Sequence, residues 1–320
     1  MRSIPIAALA ALVVALSGCA TQPGTTADGI RIVASTDVYG DVAQAIAGDR
    51  AEVTSIISGT VQDPHSYEAT ARDQLAVANA DIVIENGGGY DSFIDGMLAA
   101  SGGSDTVVIT VSDLAADHDG EAESHDDAES GDVDSHDDHG HIEGFNEHVW
   151  YDLHVMEAFA GELAQSLGTL DPDGAAQYNA QLASFTEQLD QLIQRAEGLR
   201  HEFEGKKAFA TEPVPDYLLQ ELGFENVTPE DYVSAVEGGV DVAPSVLLEA
   251  LRLIESGQVA LLVHNEQTTG PEIEQAVTAA REHDVPVVPM TETLPAGMHY
   301  LDWMRSNIDA IVAALGAGTQ

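Results

Sequence analysis

Between residues 178 and 203 the apolar positions Tyr178, Leu182, Phe185, Leu189, Leu192, Ala196, Leu199 and Phe203 recur in steps of four and three. That spacing places them on one face of a helix. No proline falls between Gly174 and Gly205, and only Gly198 weakens the run. Asp171 ahead of Pro172 predicts an N-cap and a helix-opening proline, and Gly205 with Lys206 and Lys207 ends the helix. Such a helix would be roughly 45 Å long, about the span of a domain. A coiled-coil dimer is one use for it. The flanking segments favour the other, a rigid rod between two lobes.

Those flanks alternate short β-type runs with helical ones. Strands are predicted over 30–35, 52–57, 81–85 and 106–111, separated by helices over 38–47, 70–79 and 90–100. After the long helix come strands over 207–211, 258–264 and 285–290, with helices over 216–222, 245–256, 271–283 and 298–315. Strands separated by helices imply parallel pairing through crossovers. The expected fold class is therefore α/β: two Rossmann-like lobes, each a mostly parallel sheet flanked by helices, joined by one long rigid helix. The two halves share this grammar without a close sequence repeat. Residues 30–170 form the N-terminal lobe, 171–204 the linking helix and 205–320 the C-terminal lobe.

Composition changes the picture in one respect. Against 11 basic residues stand 55 acidic ones, a formal net charge of −44 over 320 residues. Such a surface repels phosphate backbones, which excludes nucleic acid as a partner, and it draws cations. At the N-terminus, Arg2 precedes an apolar run from Ile4 to Leu16 that is too short for a stable membrane span. It reads as a secretory signal over 1–18, closing on Leu16-Ser17-Gly18-Cys19, which resembles a bacterial lipobox. Cys19 is the sole cysteine, so lipid modification explains it better than a stray thiol. Residues 19–29 then form a flexible, lipid-anchored tether. The expected product is exported and anchored to the outer face of the bacterial cytoplasmic membrane.

Residues 117–141 carry His118, His125, His136, His139 and His141 among Asp, Glu, Ser and Gly, with almost no apolar side chain. The segment cannot bury a core and is expected to be a disordered loop. Five histidines among carboxylates suit weak, multi-site metal collection better than inert spacing. Asn86-Gly87-Gly88-Gly89 follows a strand but lacks the phosphate-loop lysine and spacing, and is read as a turn.

Four further places offer a metal ligand at a strand end or in a connection: His65 in Asp63-Pro64-His65-Ser66-Tyr67-Glu68, His148 in Asn146-Glu147-His148-Val149-Trp150-Tyr151-Asp152, Glu212 after Thr211, and Glu292 between Thr291 and Thr293. Ligands of open α/β sheets bind beyond the carboxyl ends of the strands, so these positions converge on one cleft, two from each lobe. His154 competes with His148 but enters the following helix, and His264 and Glu266 compete with Glu292; all three rank lower.

Together these motifs resemble the cluster A-I (TroA/ZnuA/PsaA-like) family, the zinc- and manganese-binding solute receptor lipoproteins of ABC transporters. Asp63-Pro64-His65 with Tyr67-Glu68 is similar to the family's first ligand motif. Residues 147–152 resemble its second, with Glu147 where proline is usual. The resemblance covers essentially the whole mature chain and implies a long inter-lobe helix, an ABC permease as partner, a monomer, and His65, His148, Glu212 and Glu292 as ligands. Two departures bear on the cargo. Zinc-type members usually carry His where Glu212 stands, whereas manganese-type members often carry Glu; and Glu292 takes the place of a usual Asp. The His-rich loop points to Zn2+ and Glu212 to Mn2+, with zinc favoured.

Two other functions fit less well. A secreted metallohydrolase needs an open metal position and a general base, and no H-E-x-x-H is present. A receptor for an anionic chelate or siderophore needs an aromatic, partly basic pocket, at odds with 5% aromatics and few Lys or Arg.

Overall fold

The computed structural model of the protein describes residues 29–60, 64, 67–102, 105–116 and 145–316. The expected signal over 1–18, Cys19 and most of its tether, His65, and the loop histidines His118, His125, His136, His139 and His141 lie outside the described residues.

The first half runs β1 (Ile30–Thr36), α1 (Asp37–Ala47), β2 (Ala51–Ile57), α2 (Ala71–Ala78), β3 (Ile82–Glu85), α3 (Phe93–Ser101), β4 (Val107–Thr110) and α4 (Val111–Ala116). A 3-10 turn (Val149–Tyr151), α5 (Leu153–Leu170) and α6 (Ala175–Phe203) follow. The second half runs β5 (Lys207–Ala210), α7 (Asp216–Glu221), β6 (Glu225–Asn226), α8 (Glu230–Glu237), α9 (Pro244–Glu255), β7 (Val259–Asn265), α10 (Pro271–Glu282), β8 (Val287–Met290) and α11 (Tyr300–Leu315). Every pairing is parallel. The strand orders are β2-β1-β3-β4 and β6-β5-β7-β8, so both lobes have the same topology.

Because side chains alternate along a strand, each sheet feeds two cores. In the first, Ile32, Ala34, Ile82 and Ile84 point one way and Val33 and Val83 the other. In the second, Ala208, Ala210, Leu261 and Val263 oppose Phe209 and Leu262. The first-named set from each sheet belongs to one continuous core, completed by Trp150, Phe159, Phe185, Tyr300, Trp303 and Ile308. The opposite faces have private cores. The lobes therefore share their interior.

Helix α6 has 29 residues and buries Tyr178, Phe185, Leu189, Leu192, Ala196 and Phe203, as the spacing predicts, with Ile193 in addition. Leu182 and Leu199 are half-buried. Its start differs from expectation. Asp171 closes α5, and α6 begins after Gly174. The proline disfavours helical geometry at the residue before it, so α5 stops there. The Asp171 carboxylate then accepts from the Gly174 N–H at 3.2 Å, from Arg50 Nε at 2.7 Å and from the Tyr178 hydroxyl at 2.9 Å. It ties the α5–α6 turn to the end of α1. The sequence patterns give no range for helices α4, α5 and α8, and the two-residue β6 is too short to leave a periodic signal.

Phe185 stacks on Tyr300 with centroids 6.4 Å apart, joining α6 to α11 in the shared core. Phe185→Ala should cost about 3–5 kcal/mol, seen as a lower urea midpoint in which the unfolding of both lobes moves together. Arg50, then Tyr178, hold the Asp171 carboxyl below its usual range. A lowered folded-state pKa stabilises above the unfolded value and is lost as pH falls through the folded one. The stability gap between the native chain and Arg50→Gln should therefore be present at neutral pH and close well below about pH 4, measured by urea unfolding at both.

Candidate metal centre

In each sheet the strand order reverses between its two central strands, which opens a crevice at their carboxyl ends. In the first lobe that point lies past Thr36 and Glu85, and in the second past Ala210 and Asn265. Glu212 lies two residues past the end of β5, and Asn86 directly follows β3.

The Asn86–Gly89 segment is a turn, as read, with positive φ at all three glycines. Asp91 locks it by accepting from the N–H groups of Asn86 (2.6 Å) and Gly87 (2.9 Å). A Cβ on Gly88 would come within 2.6 Å of the Phe145 ring, so glycine lets the segment leading to His148 lie close. The Asn86 amide donates to the Glu147 carbonyl at 3.0 Å. The turn is thus a seat for the second ligand motif.

His148 is only 1% exposed. Its ring sits edge-on to Trp150 at 5.2 Å and to Tyr90 at 6.0 Å. Nδ1 lies 2.8 Å from Asn146 Oδ1; donation there places the coordinating lone pair on Nε2. The second lobe holds Asn146 in turn. Its amide donates to the Pro213 carbonyl at 3.0 Å, and the Tyr217 hydroxyl donates to the Asn146 backbone carbonyl at 2.8 Å. Behind His148, Tyr151 O–H donates to the Thr291 carbonyl (2.7 Å) and Tyr300 O–H to the Trp150 carbonyl (2.8 Å).

Among the described residues, the structure brings His148 together with Glu147 and Glu237, one ligand atom of each lying within 4.8 Å of the others. Glu147 is 1% exposed and Glu212 is 6% exposed. Burial, followed by the charges of Glu147, Glu212 and Asp216, pushes the Glu237 carboxyl up to about 8. Burial likewise raises Asp216 to about 7, although Asn226 donates to it at 2.8 Å. Sequence reasoning passed over Glu237. The signal that marks it is a carboxylate in the last turn of a helix, where the helix dipole disfavours negative charge.

The other expected ligands fall as follows. Glu212 adjoins the trio through its effect on Glu237 but is not one of the three. Glu292 is buried and tied to the first lobe by Tyr90 O–H at 3.1 Å, with Asn265 donating to its other oxygen at 2.6 Å. Tyr90 thereby links it to the His148 ring. Of its competitors, Glu266 is exposed, and His264 is half-buried in β7 with its pKa lowered by burial. His154 is exposed on the first turn of α5. Pro64 and Tyr67, either side of His65, are joined by Tyr67 N–H to Pro64 O at 3.3 Å.

One imidazole with converging carboxylates can hold a divalent cation. Asn146 sets the His148 tautomer and spans both lobes, so Asn146→Ala should weaken metal binding by about 10–100-fold, checked by chelator-competition titration.

Comparison with known proteins covers the same ground. The sequence model of the ZnuA family, described as zinc-uptake complex component A, periplasmic, matches residues 32–314. The chain is 24% identical to the manganese-binding lipoprotein MntA of Halalkalibacterium halodurans, over 95% of this chain and 96% of that one. It is also 24% identical to the manganese ABC transporter substrate-binding lipoprotein PsaA of Streptococcus pneumoniae, over 97% of each. The fold matches the periplasmic zinc-binding protein TroA of Treponema pallidum with a TM-score of 0.69 at 20% identity, over 90% of this chain and 99% of that one. Since the matched region runs from the first strand to the last helix, the chain belongs to the ZnuA family, the substrate-binding components of metal ABC transporters.

Proposed function

We propose that this protein captures a divalent transition-metal ion between its lobes and delivers it to an ABC permease for import, while tethered through lipid on Cys19 outside the cytoplasmic membrane. The observation that carries the reading is the grouping of buried His148 with Glu147 and Glu237, beside Glu212, at the crevice between the lobes. His65, His148, Glu212 and Glu292 remain the ligands implied by the family motifs, and Glu147 and Glu237 stand close to His148. No helix among the described residues is long and apolar enough to cross a membrane. Release would follow when docking separates ligands of one lobe from those of the other, and the shared core favours a small displacement over wide opening.

For the cargo we favour manganese. Among the described residues, carboxylates outnumber imidazoles around His148, and oxygen donors able to chelate through both atoms suit an ion of coordination number above four. The MntA and PsaA relatives are named for manganese. Zinc is the second reading, favoured by the five histidines within 117–141. The hydrolase and chelate-receptor alternatives gain no support from the site or from these relatives.

The test is titration of a soluble form lacking residues 117–141, with bound metal counted by mass spectrometry after desalting. One equivalent of Mn2+ should be retained, and His148→Ala should abolish it. Retention of Zn2+ alone would move the assignment to zinc, and retention of neither would overturn the metal-receptor reading.

A further inference from the structure

Glu237 occupies a costly position. It is the last residue of α8, where the negative end of the helix dipole repels a carboxylate, although the acids that open the helix, Glu230 and Asp231, sit where the dipole favours them. Its Oε1 is buried without a hydrogen-bond partner among the described residues. After burial, the charges of three further acids, Glu147, Glu212 and Asp216, act on it. Desolvation, dipole and like charge all act against this carboxylate, and a buried polar atom without a partner calls for an explanation such as an ion.

The position is not an accident of a loose helix end. Tyr232, fully buried, packs edge-on against Phe209 of β5 with centroids 5.4 Å apart, and its hydroxyl donates to the Glu272 carbonyl at 3.3 Å. Val236, one residue before Glu237 and one turn after Tyr232, is also in the core of the second lobe. The packed face of α8 therefore holds Glu237 within 4.8 Å of ligand atoms on Glu147 and His148, which the first lobe supplies.

We propose that Glu237 is a direct ligand of the transported ion and sets its selectivity, closing the site from the second lobe opposite His148. A divalent cation offsets all three opposing terms at once. An added carboxylate supplies hard oxygen donors and raises the coordination number, which favours Mn2+ relative to a tetrahedral Zn2+ set. The proposal rests on the metal-receptor reading and adds to it a ligand that the family motifs do not supply.

The experiment uses the intact chain in detergent, with Mn2+ and Zn2+ affinities measured separately by chelator competition. Glu237→Gln keeps the shape and removes the charge, and Glu230→Gln, at the other end of the same helix, is the control. Glu237→Gln should weaken Mn2+ by at least about tenfold, the lower range for disturbing even a supporting group, with a smaller loss for Zn2+. It should also raise the thermal midpoint of the metal-free protein and shrink the rise that Mn2+ produces. Glu230→Gln should leave both affinities and the Mn2+-induced rise as in the native chain. Native affinities for both ions in Glu237→Gln, with binding abolished by His148→Ala, would overturn the ligand role and leave the receptor reading standing. Equal losses for both ions would overturn the selectivity role. Tight binding that survives His148→Ala would instead overturn the receptor site itself.

Discussion

Like charges gathered in a buried seam repel one another, and the protein has to hold them in place before any cation arrives. Glu147 and Glu212 are buried on opposite sides of the inter-lobe crevice, with Glu237 and Asp216 close by. The counterweight is apolar. One core takes the inner faces of both sheets and is filled by Trp150, Phe185, Tyr300 and Trp303. Burial of that kind is non-directional, so it presses the lobes together without regard to the charge trapped between them. Direction comes from the polar contacts around it.

Those contacts fall into two groups. Near the metal centre, Asn146 meets Pro213 and Tyr217, Tyr90 meets Glu292, and Tyr151 meets the Thr291 carbonyl. Farther along the seam, Asp37 accepts from the N–H groups of Gly59 and Leu294, and Asp41 accepts from Tyr300 N–H. The carboxylates of the second group are satisfied by backbone donors and serve as latches. Those around Glu237 face other carboxylates. The same residue type therefore plays two roles within one seam, and the arrangement of donors distinguishes them.

Much of this was legible in the chain. Short apolar runs such as Ile82–Glu85, buried on both faces, and the four-three spacing of α6 are legible because burial leaves a continuous or periodic apolar mark. His148 was legible because residues 147–152 resemble a family ligand motif in a connection after the first sheet. Three things were not. Asp171 looked like a helix start because the sequence shows its proline but not Arg50, which lies far away in the chain. Strand β6 is two residues long, below the length at which alternation means anything. Glu237 was invisible because, among 55 acids, one more has no contrast; only the fold reveals that this one is half-buried, with Oε1 fully enclosed, and crowded by other acids.

The last helix has a consequence for the order of events in folding. Tyr300, Trp303, Met304, Ile308 and Ile311 of α11 lie in the same core as Ile32 and Ile84 of the first sheet. A chain that folds from its N-terminus as it emerges cannot finish that core, because α11, which packs on α1, comes roughly 250 residues after it. Until then the faces of α1 and α6 that α11 covers stay exposed and open to wrong partners. Contacts so distant along the chain also slow the final step. A protein translocated across a membrane as an extended thread would therefore close its interior only once its C-terminal end has followed.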